Sequence, residues 1–208
     1  MTHTEKVHVL FGALMALMGA SAAWAYRHPR SPIRFVWPVS AFLLGFFMFV
    51  PVERQTRTYV DVGWWDTFRS AFPANVVELR DFASAWIAKL AMFHVLEHKV
   101  VGLLGMVAGV VEFQRARGTL GETGWRWALP IALIGVGLAL GLHGGNAEHL
   151  PHHVEVVHHR IMGGCFVAGG ALLGLVEVGA LRADPWRAMW TVLLMVAGMD
   201  LVLFYRIH

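Results

Sequence analysis

Six apolar stretches recur along the chain, at about 7–26, 33–52, 86–114, 126–143, 157–181 and 187–205. Each is close to the roughly 20 residues that a helix rising 1.5 Å per residue needs to cross a hydrocarbon layer of about 30 Å. A helix also satisfies its own backbone hydrogen bonds there. Membrane-barrel strands would alternate apolar and polar positions, and these runs do not. The pattern predicts an all-α integral membrane protein, a bundle of about six transmembrane helices forming a single domain over 1–208. Residues 53–85 are too polar to span, yet Val60, Trp64, Trp65 and Phe68 recur at near-helical spacing. A short amphipathic helix on the outer membrane surface is expected there.

Composition agrees with this reading: of 208 residues 57% are hydrophobic and 15% charged, which leaves no room for a second, soluble domain. The first apolar run has the layout of a secretory signal, with Lys6 before it and Ala20-Ser21-Ala22-Ala23 near its end. The basic cluster Arg27, Arg30 and Arg34 follows the run instead of preceding it, so a retained first helix is expected.

Charge sets the expected orientation. The short connections after the first, third and fifth runs carry Arg27, Arg30 and Arg34, then Arg115, Arg117 and Arg126, then Arg182 and Arg187. By the positive-inside rule these face the cytoplasm of a bacterial inner membrane, which puts both termini in the periplasm. Trp24, Trp125, Trp127, Trp186 and Trp190 would then form an inner aromatic belt. The formal charge of +3 reflects topology and lipid headgroups, and nothing in the sequence signals nucleic-acid binding. The lipid bilayer is the expected partner, joined by a periplasmic metal carrier or a membrane-complex subunit.

On this topology eleven of the twelve histidines share the periplasmic side, and His28 alone lies on the other. His3 and His8 precede or open the first span, His94 and His98 lie in the outer half of the third, and His143 ends the fourth. His149, His152 and His153 fill the next loop, His158 and His159 begin the fifth span, and His208 ends the chain. Neutral imidazole ligates copper, zinc and haem iron, and an i, i+4 pair such as His94 and His98 shares one helical face. His94, His98, His143, His158 and His159 are the candidate metal ligands, with His8, His149, His152, His153 and Glu97 as weaker ones. Any single interfacial histidine is more often a cap or a solvated group than a ligand.

Ligand chemistry narrows the metal. Cys165, the one cysteine, lies within the fifth span, so a cysteine-held Cu(I) or Fe–S site on the outer side is excluded, as is a disulfide. Imidazole with carboxylate suits Cu(II) or Zn(II), and Met92 and Met162 offer softer sulfur for Cu(I).

His-x-x-x-Gly occurs three times at the outer ends of odd-numbered spans, at His8/Gly12, His98/Gly102 and His159/Gly163. Glycine one turn below a histidine allows close helix approach, or leaves room for a flat macrocycle under an axial ligand. A second register instead aligns Gly109-Val-Val-Glu112 with Gly174-Leu-Val-Glu177, and the two disagree. Glu112 and Glu177 are expected to pair with Arg115 and Arg182. Asp200, in an otherwise apolar last span, needs a partner or a polar cavity, because an unpaired acid in a membrane is costly.

The stretch from His94-Val-Leu-Glu-His98 to Gly105, continuing to Val111-Glu112 and Gly118, resembles the membrane domain of bacterial copper-resistance proteins of the D type. So do Leu142-His143, the His-rich loop after it, and His158-His159-Arg-Ile-Met-Gly163. The likeness covers roughly 60–180 and implies a copper-handling protein of the inner membrane, with His98, His143 and His159 best matched. Met-x-x-Met clusters outside the membrane, which a methionine-rich copper pathway would carry, are missing.

Three functions remain open on the sequence. One is copper binding at the periplasmic face. The second is a b-type haem electron-transfer subunit with His98 and His159 as ligands, and the third a metal-free structural subunit. No hydrolase triad, phosphate-binding glycine loop or HExxH helix is present, so no independent catalytic activity is expected.

Overall fold

A computed structural model describes residues 3–50, 80–81, 83–84, 86–87, 90, 93–142, 152–181 and 183–207. Within these, the side chains at 3–5, 93–95, 122–123, 152–155, 183–184 and 204–207 are not described. Among the described residues all regular structure is helical: α1 His3–Arg27, α2 Val36–Phe49, α3 Phe93–Ala116, α4 Ala128–Leu142, α5 His152–Glu177 and α6 Ala183–Ile207. Short helices Pro32–Phe35 and Glu122–Trp125 precede α2 and α4. The expected surface helix over 53–85 lies almost wholly outside the described residues.

Four segments, Lys6–Arg27, Pro32–Phe49, Val156–Glu177 and Pro185–Leu203, are long and apolar enough to cross a membrane. The other two helices differ for identifiable reasons. α3 runs for 24 residues but carries Glu97 and Lys99 near one end and Glu112 and Arg115 near the other. α4 is apolar throughout but has only 15 residues.

Local chemistry sets several ends. Ser31 caps the turn into α2, its Oγ accepting from the amide of Ile33 at 3.3 Å, with Pro32 in the first helical position. α3 and α5 both stop at a left-handed glycine, Gly118 and Gly179, each with φ of 75°. Beyond each, the chain folds back so that Thr119 and Ala180 donate to the carbonyls of Gln114 and Leu175.

The helices form a closed ring in chain order: each packs on the next, and α6 returns onto α1. Three pairs are packed most closely, α1 with α6, α2 with α3, and α4 with α5. Glycine explains why. A side-chain carbon at Gly12 would lie 2.6 Å from the carbonyl of Gly198, one at Gly102 2.7 Å from that of Gly45, and one at Gly163 2.7 Å from that of Gly137. These are the glycines of the His-x-x-x-Gly repeat, so the repeat marks one close contact per helix pair. The space beside each is filled by neighbouring backbone, so of the two readings of these glycines the packing fits close helix approach. In the competing register Gly109 meets α2 backbone while Gly174 meets only the edge of Trp127, so that register does not repeat in the packing.

Burial follows an inside-out logic. Ile131, Leu138, Val110 and Val196 point outward and are exposed, whereas Lys6, Lys99, Glu112, His159 and Thr191 are buried inside the ring. Such a surface suits a lipid environment, with polar groups turned to the interior.

Candidate metal centre at the histidine end of the ring

Within the ring lies a cavity of about 240 Å³, and His8 of α1, His98 of α3 and His159 of α5 all line it. The rings of His8 and His159 lie with centres 6.2 Å apart and planes nearly perpendicular, at 82°. His159 is 7% exposed, held inside because Gly163, one turn on, lets α5 close onto α4. Lys99, next to His98, is also buried and donates from Nζ to the carbonyl of Met48 at 3.1 Å. That bond satisfies one of the carbonyls that a helix leaves unpaired in its last turn, here that of α2.

Adjacent histidines part company. Successive helical side chains are set about 100° apart, so His159 faces the cavity while His158 faces α6. There His158 Nδ1 lies 2.7 Å from Asp200 Oδ2. Asp200 thus has the partner that its apolar surroundings require, and the contact joins α5 to α6.

The other predicted ligands fall differently. His94, His152 and His153 belong to helices, and their side chains lie outside the description. The expected loop therefore ends earlier, with α5 starting at His152. His143 and His149 lie outside the described residues altogether, as does Met92. Glu97 is half-buried on the turn before His98 and does not line the cavity. Among the described residues, no three His, Cys, Asp or Glu side chains come together as a group able to hold a metal ion.

Of the thioethers at this cavity, sequence reasoning singled out Met162 and missed Met15, Met18 and Met48. Met15, Met18, Met48 and Met162 all line the same cavity. The signal was present in Met15-Ala-Leu-Met18, a Met-x-x-Met step inside the first span. The neighbour of His8 at this cavity, His159, lies far away in the chain, so spacing alone could not bring the two together.

Apart from the histidines and Lys99 the cavity lining is mostly apolar, and it ends at Trp37, Leu129 and Trp190. The Trp37 and Trp190 rings stand 5.5 Å apart, edge to face. Trp190 is 2% exposed and donates from Nε1 to Tyr26 Oη at 3.0 Å, so it is an interior residue and not part of an aromatic belt. The same three residues also bound a second cavity of about 200 Å³ at the arginine-rich end. In its wall Arg115 donates to Glu112 at 2.6 Å, the expected pair, and Glu177 accepts from Arg187 at 3.3 Å. Packing of α5 on α6 supplies that arginine, and Arg182, the partner expected from sequence proximity, lies outside the described residues. No protein-family model matches this chain, and neither does any curated protein or solved structure.

Proposed function

We propose that this chain is a six-span protein of the bacterial inner membrane that handles copper at the periplasmic face. His8 and His159 are its principal ligands, with His98 at the same chamber. The single observation that carries this is the meeting of His8 and His159 across the cavity, 6.2 Å between ring centres. With metal–nitrogen bonds of about 2.0 Å, two imidazoles on opposite sides of one ion have ring centres about 6 Å apart. Among the described residues no group of three His, Cys, Asp or Glu side chains converges, which fits a low-coordinate ion, and the thioethers Met48 and Met162 lining the same cavity favour Cu(I) over harder metals. On this reading a periplasmic carrier or membrane-complex partner supplies the metal, and the resemblance over 94–118 and 142–163 points the same way.

A b-type haem is the second reading, favoured by one specific feature. A macrocycle supplies four nitrogens of its own, so a facing pair of histidines in an apolar cavity is all that the protein must provide.

Metal analysis and a visible spectrum of the purified full chain test both. About one copper per chain without a Soret band is the expected result. A Soret band would transfer the site to haem, and absence of both metal and haem would leave a metal-free structural subunit.

A further inference from the structure

The cavity at the arginine-rich end holds none of the proposed copper ligands, and its chemistry is of another kind. It gathers Glu112 and Arg115 from α3, Arg126 from the turn before α4, Glu177 from α5 and Arg187 from α6, with Tyr26 of α1 at its edge. Two of the three guanidinium groups are matched, Arg115 by Glu112 and Arg187 by Glu177. Arg126 makes no ion pair among the described residues, so the cluster holds one positive charge in excess.

Hydrogen-bond donors are in larger excess. Each guanidinium offers five N–H groups, and Arg115 and Arg187 each place one on a carboxylate oxygen. Tyr26 Oη accepts from Trp190, so its own hydrogen is directed elsewhere, and among the described residues it has no acceptor. Part of the wall is apolar, Leu129, Pro130 and Trp37, which strengthens the field of an unmatched charge relative to open water. What would satisfy the cluster is one negative charge spread over several acceptor oxygens.

We propose that this vestibule binds a phosphate-type oxyanion, held by Arg126 with the Tyr26 hydroxyl and the remaining N–H groups of Arg115 and Arg187. A phosphodiester monoanion cancels the excess charge, and forked guanidinium donors match its oxygens in pairs. The two carboxylates disfavour more highly charged anions, and the arginine excess disfavours metal cations. The group has two sources, the headgroup of an anionic lipid or soluble phosphate, because basic pockets between membrane helices take both chemistries.

Two arms of one experiment separate them. Full-length protein in phosphatidylcholine nanodiscs is titrated with inorganic phosphate while its thermal unfolding is followed. In parallel, protein purified from membranes containing phosphatidylglycerol is examined by native mass spectrometry for one retained lipid. A rise in Tm with phosphate assigns the soluble source, and one retained phosphatidylglycerol assigns the lipid. Arg126→Gln should weaken whichever is seen by tenfold or more and Tyr26→Phe by a few-fold, while Arg30→Gln, an exposed arginine outside the cavity, should change nothing. Arg126 is exposed and outside the ion pairs, so its replacement leaves the fold intact, which an unchanged elution profile and helical circular dichroism will check. Binding in neither arm, or equal binding by Arg126→Gln and wild type, overturns the proposal.

Discussion

The two ends of the ring handle polarity in opposite ways. At the arginine end, both carboxylates are closed into ion pairs with two of the three guanidiniums around a small cavity, and one of those pairs lies within a single helical turn, Glu112 with Arg115. At the histidine end, imidazoles from three separate helices face one cavity whose wall is otherwise mostly apolar and sulfur-bearing, with Lys99 held against it by its bond to the Met48 carbonyl. Between them stand Trp37 and Trp190, edge to face. Full charges in a membrane must be matched close by, so their partners are near and partly readable from spacing. Imidazole is neutral and tolerates an apolar wall, so histidines can be assembled by tertiary packing alone.

The comparison has its largest test in topology. Reporter fusions at Arg30, Gly121 and Asp184 should behave as cytoplasmic, and fusions at Asn75 and Asn146 as periplasmic, because the short connections carry the arginines. A reversed pattern would exchange the two ends and move the histidine chamber to the cytoplasmic side.

Next in size is the loss of metal. His8→Ala and His159→Ala should each reduce bound copper by tenfold or more in metal analysis, since losing one of two principal ligands leaves an incomplete shell. The double substitution should add little. His98→Ala should have a smaller effect. Equal copper in His8→Ala and wild type would remove the pair from the site.

The glycine contacts come third. Gly163→Leu places side-chain atoms against α4 backbone, and overpacking of this kind costs about 1–3 kcal/mol or more. Gly164, its neighbour, has nothing within 4 Å of an added carbon, so Gly164→Ala should be tolerated. Thermal unfolding in detergent reads both, and equal Tm values would mean that α4 and α5 do not need that close approach.

Much of the fold was legible in the sequence, and part of the candidate site was not. Helix ends fall within a few residues of the apolar runs, the start of the third left aside because residues 88–89 and 91–92 lie outside the described residues. The His-x-x-x-Gly repeat was visible, but only the packing shows that its glycines meet Gly198, Gly45 and Gly137. Whether His158 or His159 faces the cavity turns on a rotation of about 100° per residue, smaller than the uncertainty in where each helix faces. For the same reason Trp190 reads as a belt residue from its position and proves to be interior.

Asp200→Asn is the fourth test and separates the histidine pair at 158 and 159. The substitution weakens a 2.7 Å contact between α5 and α6, and a hydrogen bond to a charged group contributes about 1.5–3 kcal/mol. A lower Tm with copper retention within twofold of wild type is expected, because neither His158 nor Asp200 lines the cavity. Copper loss as deep as in His159→Ala would instead bring His158 into the site.

The smallest expected effect lies at the partition between the ends. Tyr26→Phe removes the acceptor for Trp190 Nε1 without changing the ring, so it should cost about 0.5–1.5 kcal/mol, the usual contribution of one neutral hydrogen bond. Trp190→Phe should cost more, because it also removes packing at a residue that is 2% exposed. If the bond is what couples the two residues, the double substitution will cost less than the two single costs together, by about the value of that one bond. Chemical unfolding in detergent measures the cycle. Strict additivity would mean that the Tyr26 hydroxyl does not steady Trp190, and the partition would then depend on the packing of Trp37 against Trp190 alone.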